Sequence, residues 1–363
     1  MGGARLACRH QDGHVSLNPC ARMGDVWARD LVQVSRDVTV LESGGRWAVA
    51  IPYAGVPVLA QFATWSRGAS PPPGVDVGDW TGPAAGSWQT SMDESAYCEG
   101  VAAVREAIAE GTVYQANLCR VMSALMPEGE ARDVAALDRL LASGNPSPHG
   151  GFLRLPEHGV HVASASPELF LSVMTGPGGR EVLSGPIKGT GRTEEELAEK
   201  DRAENVMIVD LVRNDLSRVS IPGTVSVPDL LRIEHHPGLV HLVSRVRGEL
   251  RPEVGWQELL EATFPPGSVT GAPKSSALRI IRDVETASRD YYCGAFGWID
   301  ADSGEAELAV AIRTFWCDDE HLRFGTGAGI TWASDASAEW RETELKARRL
   351  VEVASGSWKG GAP

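Results

Sequence analysis

The chain has 363 residues, 43% hydrophobic and 23% charged, a balance that supports a large buried core and predicts about two domains or one large one. No apolar run approaches the roughly 18 residues that span a bilayer, and the opening MGGARLACRHQDGHV lacks an apolar signal-peptide core, so a cytoplasmic protein without a membrane role is expected. A formal charge of −14 with no Lys/Arg stripe to offset it argues against nucleic acid as partner, while leaving room for a small anion in a local basic pocket.

Residues 1–90 are rich in Gly and Pro and carry short strand-like pieces, VTVLES and RWAVAIPYAG. They end in the loop SPPPGVDVGDWTGPAAGS and read as a β-rich region with a linker, distinct from a main domain over 91–355. From Asp93 the pattern turns helical, with Tyr97, Val101, Val104 and Ile108 on one face and Gly111 as the stop. The strand TVYQANLCRVM follows, then GFLRLP and HGVHVASASPELFLSVM. A long helix through EKDRAENVMIVDLVRNDLSRV is expected to open at Thr193, with Glu196 three residues on in the capping-box arrangement. HLVSRVRGEL reads as a strand, WQELLEATF as a helix, and another helix starts at Pro273. YYCGAFGWIDADSGEAELAVAIRTFW reads as a hairpin turning at DSG, and a last strand ends in GTGAGI before a final helix. Strands and helices mix without strict alternation, which predicts an α+β fold: a large core of antiparallel sheets packed face to face with outer helices.

The six cysteines are scattered without a CxxC pair and read as free thiols. Cys8, His10, His14 and Cys20 are the only metal-like cluster, but their irregular spacing in a polar leader suits a loose tail better than a zinc site.

Lys188 lies in SGPIKGTGR, its backbone stiffened by Pro186 on one side and freed by Gly189 on the other, so the segment can aim an amine. A lysine attacks as a nucleophile only when neutral, which burial or nearby positive charge would favour; taken singly, a loop lysine is a solvated charge. On the final helix Glu339, Glu342 and Lys346 are three and four residues apart and share a face. Such carboxylates suit magnesium, which takes one or two and fills its other positions with water and substrate oxygens; an exposed ion-paired helix is the competing reading. Glu204, beside the apolar run VMIV, is a further candidate. GTGAGI, 325–330, is a candidate cradle for a carboxylate, whereas GSVTGAPKSS puts Ala272 and Pro273 between glycine and lysine and is rejected as a phosphate loop.

Together and in order, SASPELF, GPIKGT, AENVMIVDLVRNDLSRV, HLVSRVRGEL, FPPGSVTGAPK, YCGAFGWI, AIRT, GTGAGI and AEWRETELKA resemble the signatures of the chorismate-binding enzyme family over residues 93–350. GPIKGT resembles the form in its aminodeoxychorismate synthase component I branch, whereas anthranilate synthases carry alanine at the position of Lys188. The resemblance implies that Lys188 attacks the second ring carbon of chorismate, that Glu168 protonates the departing hydroxyl at the fourth, and that ammonia then adds there and expels the lysine. It implies Mg2+ held by Glu204 and Glu342 with Glu339 beside them, and substrate contacts from Gly189, Thr190, Tyr292, Arg313, Gly327, Ala328, Gly329 and Lys346. His241 matches an active-site histidine; His235 and His236 match nothing and read as structural or surface residues. Gln115 stands where water-adding relatives carry a lysine base, which disfavours isochorismate or salicylate formation. Ala333 replaces a common aspartate and puts a local helix cap in doubt. VLESGG resembles the family's LLES strand, but the shortened N-terminal region puts a bound tryptophan in doubt. No GxCxG nucleophile is present, so ammonia would come free or from a glutamine amidotransferase subunit. The alternatives are an anthranilate synthase component I and a catalytically silent subunit that docks an amidotransferase.

Overall fold

A computed structural model of the chain describes residues 17–128, 132–191, 193–197, 199–236, 239–318 and 320–357, without the side chains at 190, 236 and 239. Cys8, His10 and His14 of the metal-like cluster lie outside these residues, and Cys20 is a buried member of the first strand. The α+β expectation holds. Among the described residues eighteen strands join one hydrogen-bonded sheet, and the pairings are antiparallel.

From one end, Gln89–Thr90 pairs with Gln115–Leu125, which pairs with His321–Ile330, then Thr314–Cys317, Val160–Ser166 and His149–Leu155. The sheet continues through Cys20–Met23, Val26–Ser35, Val58–Arg67 and Arg46–Ile51. It then runs through Ala295–Asp300, Glu305–Val310, Leu169–Gly176, Gly179–Gly185 and Leu239–Glu249, on which Ile187–Gly191 and Ser226–His236 also pair. The strands of the first 70 residues therefore sit in the middle of the sheet and bridge its two halves. The boundary that composition suggests near residue 90 is not a break in the hydrogen bonding. The presumed linker is likewise tied down: Gly78 N–H donates to Asp133, Trp80 Nε1 to the Ala354 carbonyl at 2.7 Å, and Trp88 Nε1 to Ser355 Oγ at 3.0 Å.

Six α-helices are described: α1 Glu94–Ala109, α2 Val134–Gly144, α3 Glu199–Ser217, α4 Trp256–Thr263, α5 Lys274–Val284 and α6 Ala336–Ala354. The start of α1 follows from Asp93, whose side chain accepts the Ala96 N–H, and its inner face is Tyr97, Gly100, Val101 and Val104. The sequence reading passed over α2, which Asp133 caps and Leu137 and Leu141 anchor. α3 corrects the capping-box expectation. Thr193 opens only a 3-10 turn, Glu194–Glu196, without a side-chain cap, and the helix begins at Glu199. VTVLES is likewise a 3-10 helix, Val38–Ser43, capped by Asp37 and pinned by buried Leu41. The missing aspartate at Ala333 leaves no gap at α6, because Asp335 accepts the Ala338 N–H at 2.9 Å. The DSG hairpin turns where expected, with Gly304 at φ 74.

The largest apolar cluster includes Trp47, Leu59, Phe62, Phe170, Leu171, Ile208, Val212 and Phe296. It fastens α3 and α4 to the bridging strands, and each such side chain contributes about 1.5–3 kcal/mol by burial.

Candidate active site

Lys188 owes its aim to an irregularity in the sheet. Ile187 pairs with Val243 and Thr190 with His241, but the register shifts between them, so Lys188 and Gly189 bulge out of the ladder. Bulges redirect side chains. Gly189 has φ 90, and a Cβ there would lie 2.9 Å from Asp201 Cβ, so glycine is required on both counts. The Lys188 ammonium donates to Glu204 Oε1 at 2.5 Å, with side-chain exposures of 12% and 9%. Burial pulls the lysine pKa down, but Glu204, Glu168 and Glu342 outweigh it and leave the pKa above the ordinary lysine value.

Glu168 sits between two strands with its backbone locked. Its N–H donates to Ser166 Oγ, and its carbonyl accepts from Val310 N–H at 3.0 Å. Burial pushes the carboxyl up to about 7, although Ser268, Lys188 and the Ile187 N–H act in the opposite direction. It can thus hold or release a proton near neutrality, next to the segment that carries Lys188.

Glu204 lies on α3, and its Oε1 also accepts from Gln115 Nε2. Gly329 has no Cβ because there is no space for one: it would come 2.3 Å from Glu204 Oε1 and 2.4 Å from Gln115 Nε2. A Cβ on Gly327 would meet the Leu118 carbonyl at 2.6 Å, and one on Gly325 the Tyr292 ring at 2.0 Å. The segment 325–330 is thus an extended strand rather than a loop. Gly327, Ala328 and Gly329 pair on one side with Cys119, Leu118 and Asn117, while the strand's other known partner, Thr314–Cys317, reaches only Phe324.

α6 brings the remaining groups. Lys346 donates to Glu342 Oε1 at 2.6 Å and to the Gly327 carbonyl at 3.1 Å. Partial burial favours a neutral Glu342, but Lys346, Lys200 and Lys188 carry its pKa below the ordinary carboxylate value. Glu339, 2% exposed, accepts from Lys200 Nζ at 2.6 Å through Oε1, and its Oε2 is buried without a partner. Arg120 fixes α6 to the long strand pair, donating to Thr343 Oγ1 and Thr90 Oγ1, pairing with Glu344 and lying over the Trp340 ring.

Tyr292 is buried beneath Gly325, its phenol pushed up by desolvation. Arg313, at φ 51, has its pKa lowered by burial alone, with no anionic neighbour among the described residues to restore it. Such a guanidinium is a ready receptor for a carboxylate. His241 is buried opposite Thr190, whose side chain lies outside the described set. His235 is a surface group against Glu194, and the His236 side chain is not described. Lys274 of the rejected phosphate loop is committed to structure, donating to Asp215 at 2.6 Å and to the Thr263 carbonyl.

Contacts therefore join Lys188, Glu204, Gln115, Gly329, Gly327, Lys346 and Glu342, with Glu168 held against the lysine segment. Sequence reasoning used Gln115 only to exclude a chemistry and missed Lys200. Its position four residues before Glu204, on the same face of α3, was the available signal.

The acidic residues fit magnesium in kind: hard oxygen donors from two helices, one of them a buried unpartnered oxygen. They are not a ready cage, because each carboxylate is held by its own lysine. Among the described residues no three His, Cys, Asp or Glu groups are gathered closely enough to hold a metal ion.

A family model described as chorismate binding enzyme matches residues 80–352. Anthranilate synthase component 1 of Streptomyces coelicolor is 41% identical over 276 residues, 73% of this chain and 52% of that protein. Aminodeoxychorismate synthase component 1 of Klebsiella aerogenes is 36% identical over 277 residues, 73% of this chain and 59% of that protein. The chain thus spans between half and two thirds of the length of these curated relatives. Among solved structures, anthranilate synthase component I of Streptococcus pneumoniae superposes with a TM-score of 0.75 at 24% identity, covering 96% of this chain and 95% of that one.

Proposed function

This chain belongs to the chorismate-binding enzyme family, and from that premise we propose that it aminates chorismate to 4-amino-4-deoxychorismate, as a component I in the cytoplasm that receives ammonia from a separate glutamine amidotransferase. The observation that carries the proposal is Lys188 itself, a buried amine on a bulge beside a carboxyl held near pKa 7. No described helix is long and apolar enough to cross a membrane.

In this reading the Lys188 nitrogen bonds to the second ring carbon, both conjugated ring double bonds shift around the far side of the ring, and the C–O bond at the fourth carbon breaks. Glu168 supplies the proton with which the hydroxyl leaves as water. Ammonia then bonds to the fourth carbon, both double bonds return to their original places, and the bond to Lys188 breaks. The proton shed by the new amine restores Glu168. Before attack, Lys188 must leave Glu204 and lose its proton, a change that its burial favours once the carboxylate is otherwise engaged. In the same reading Arg313 and Lys346 hold carboxylates, Tyr292 lines the ring site, and the edge of 327–329 offers backbone groups. Glu204, Glu342 and Glu339 would hold magnesium, which when bound would neutralise the ring carboxylate.

A second reading, an anthranilate synthase component I, is favoured by the 41% identity to the Streptomyces coelicolor enzyme. Product analysis separates the two. With chorismate, ammonium and magnesium the purified chain is expected to accumulate 4-amino-4-deoxychorismate with the enolpyruvyl group retained. Prompt pyruvate in step with chorismate loss would give the second reading instead, and no turnover under either assay would reduce the chain to a docking subunit.

A further inference from the structure

Three lysines meet three glutamates at this site, paired one to one: Lys188 with Glu204 at 2.5 Å, Lys200 with Glu339 at 2.6 Å and Lys346 with Glu342 at 2.6 Å. The six charges sum to zero. A dication added to the intact pairs would leave two uncompensated positive charges in a poorly hydrated pocket, so metal entry requires ammonium groups to withdraw. The three pairs differ in how readily that happens.

Lys188 is 12% exposed and deeply placed. Lys346 and Glu342 are 50% and 46% exposed, so water can solvate both charges when the pair parts. Lys200 combines two properties that neither of the other lysines has together. Its side chain is 34% exposed, so the ammonium can swing into solvent on its flexible stem, while the buried Glu339 side chain stays behind with Oε2 already unpartnered. The contact also spans from α3 to α6, the two helices that carry the acidic residues.

We propose that Lys200 is the resident counter-cation of the metal site: it holds Glu339 in place without metal and is the group a divalent cation displaces. The inference rests on the magnesium part of the reading above. Lys200 is on this view a positioning residue whose charge sets the metal affinity, with no contact to the reacting atoms.

The test is a metal titration without chorismate, with Mn2+ as the probe and electron paramagnetic resonance reporting the free ion, on wild type, Lys200→Met, Glu339→Gln and the double variant. Lys200→Met is expected to bind Mn2+ about tenfold more tightly, because a close charge pair no longer competes. It should also melt at a lower temperature than wild type without metal and recover when Mn2+ is added. In the Glu339→Gln background the tightening should vanish. Wild-type or weaker affinity in Lys200→Met, tightening that survives Glu339→Gln, or no Mn2+ binding in any form would overturn the proposal. If Lys200→Met does not fold, Lys200→Arg keeps the charge and should bind Mn2+ no more tightly than wild type; tighter binding would refute the competition. No chorismate is present, so this result stands or falls apart from the amination assay.

Discussion

Lys188–Glu204 and Lys346–Glu342 are the same chemical pair at nearly the same separation, 2.5 and 2.6 Å, yet the first is 12% and 9% exposed and the second 50% and 46%. In the first, removal of one partner strands a charge in a poorly solvated pocket. In the second, water compensates almost fully. The pairs also stand on different supports, a bulge beside α3 against one turn of α6. Distance alone therefore does not distinguish the two lysines. Burial and the neighbouring carboxyls do, because they make the protonation state of Lys188 responsive to what occupies Glu204.

The largest expected effect that can break this comparison is on turnover. Lys188→Ala should lower amination by more than about 10^3-fold in a steady-state assay with ammonium, whereas Lys346→Ala should act mainly through KM. Glu168→Gln should lower kcat by about 10^2–10^4-fold. In the wild type, kcat governed by Glu168 should decline as pH rises through about 7, since the carboxyl must be protonated to donate. Persistence of this limb in Glu168→Gln would remove Glu168 from that role.

Stability sharpens the comparison further. Urea unfolding of Lys188→Met should show a loss of about 3 kcal/mol, since Glu204 is left buried with Gln115 as its remaining hydrogen-bond donor among the described residues and Lys200 as a more distant charge. The same substitution at Lys346 should change stability by less than about 1 kcal/mol, and less again in high salt. Equal losses at the two positions would mean that burial does not distinguish the pairs.

Much of the site was legible in the sequence because its parts are local. The GPIKGT segment, the Glu339 and Glu342 face of α6 and the close-packed glycines of 325–330 each announce themselves by residue type and spacing. What was not legible depends on partners distant in the chain. The charged state of Lys188 is set by Glu204 across the pocket, and Lys200 acquires meaning only when α6 packs opposite it. Thr193 and Glu196 have a capping-box spacing, but the chain makes a separate 3-10 turn there before α3. The first 70 residues looked peripheral because nothing in their composition says that Cys20–Met23 and Arg46–Ile51 each close on strands far along the chain. VTVLES alternates like a strand, yet Asp37 caps it and Leu41 buries it as a 3-10 helix.

The central claim is that Lys188 forms a covalent bond to substrate. Intact-mass analysis during turnover with chorismate, magnesium and limiting ammonia addresses it directly, with peptide mapping of any modified protein. The account predicts a substrate-sized adduct, less one water, that maps to Lys188 and disappears when ammonia is restored. Full amination activity in Lys188→Ala, or an adduct that maps to another residue, would contradict it.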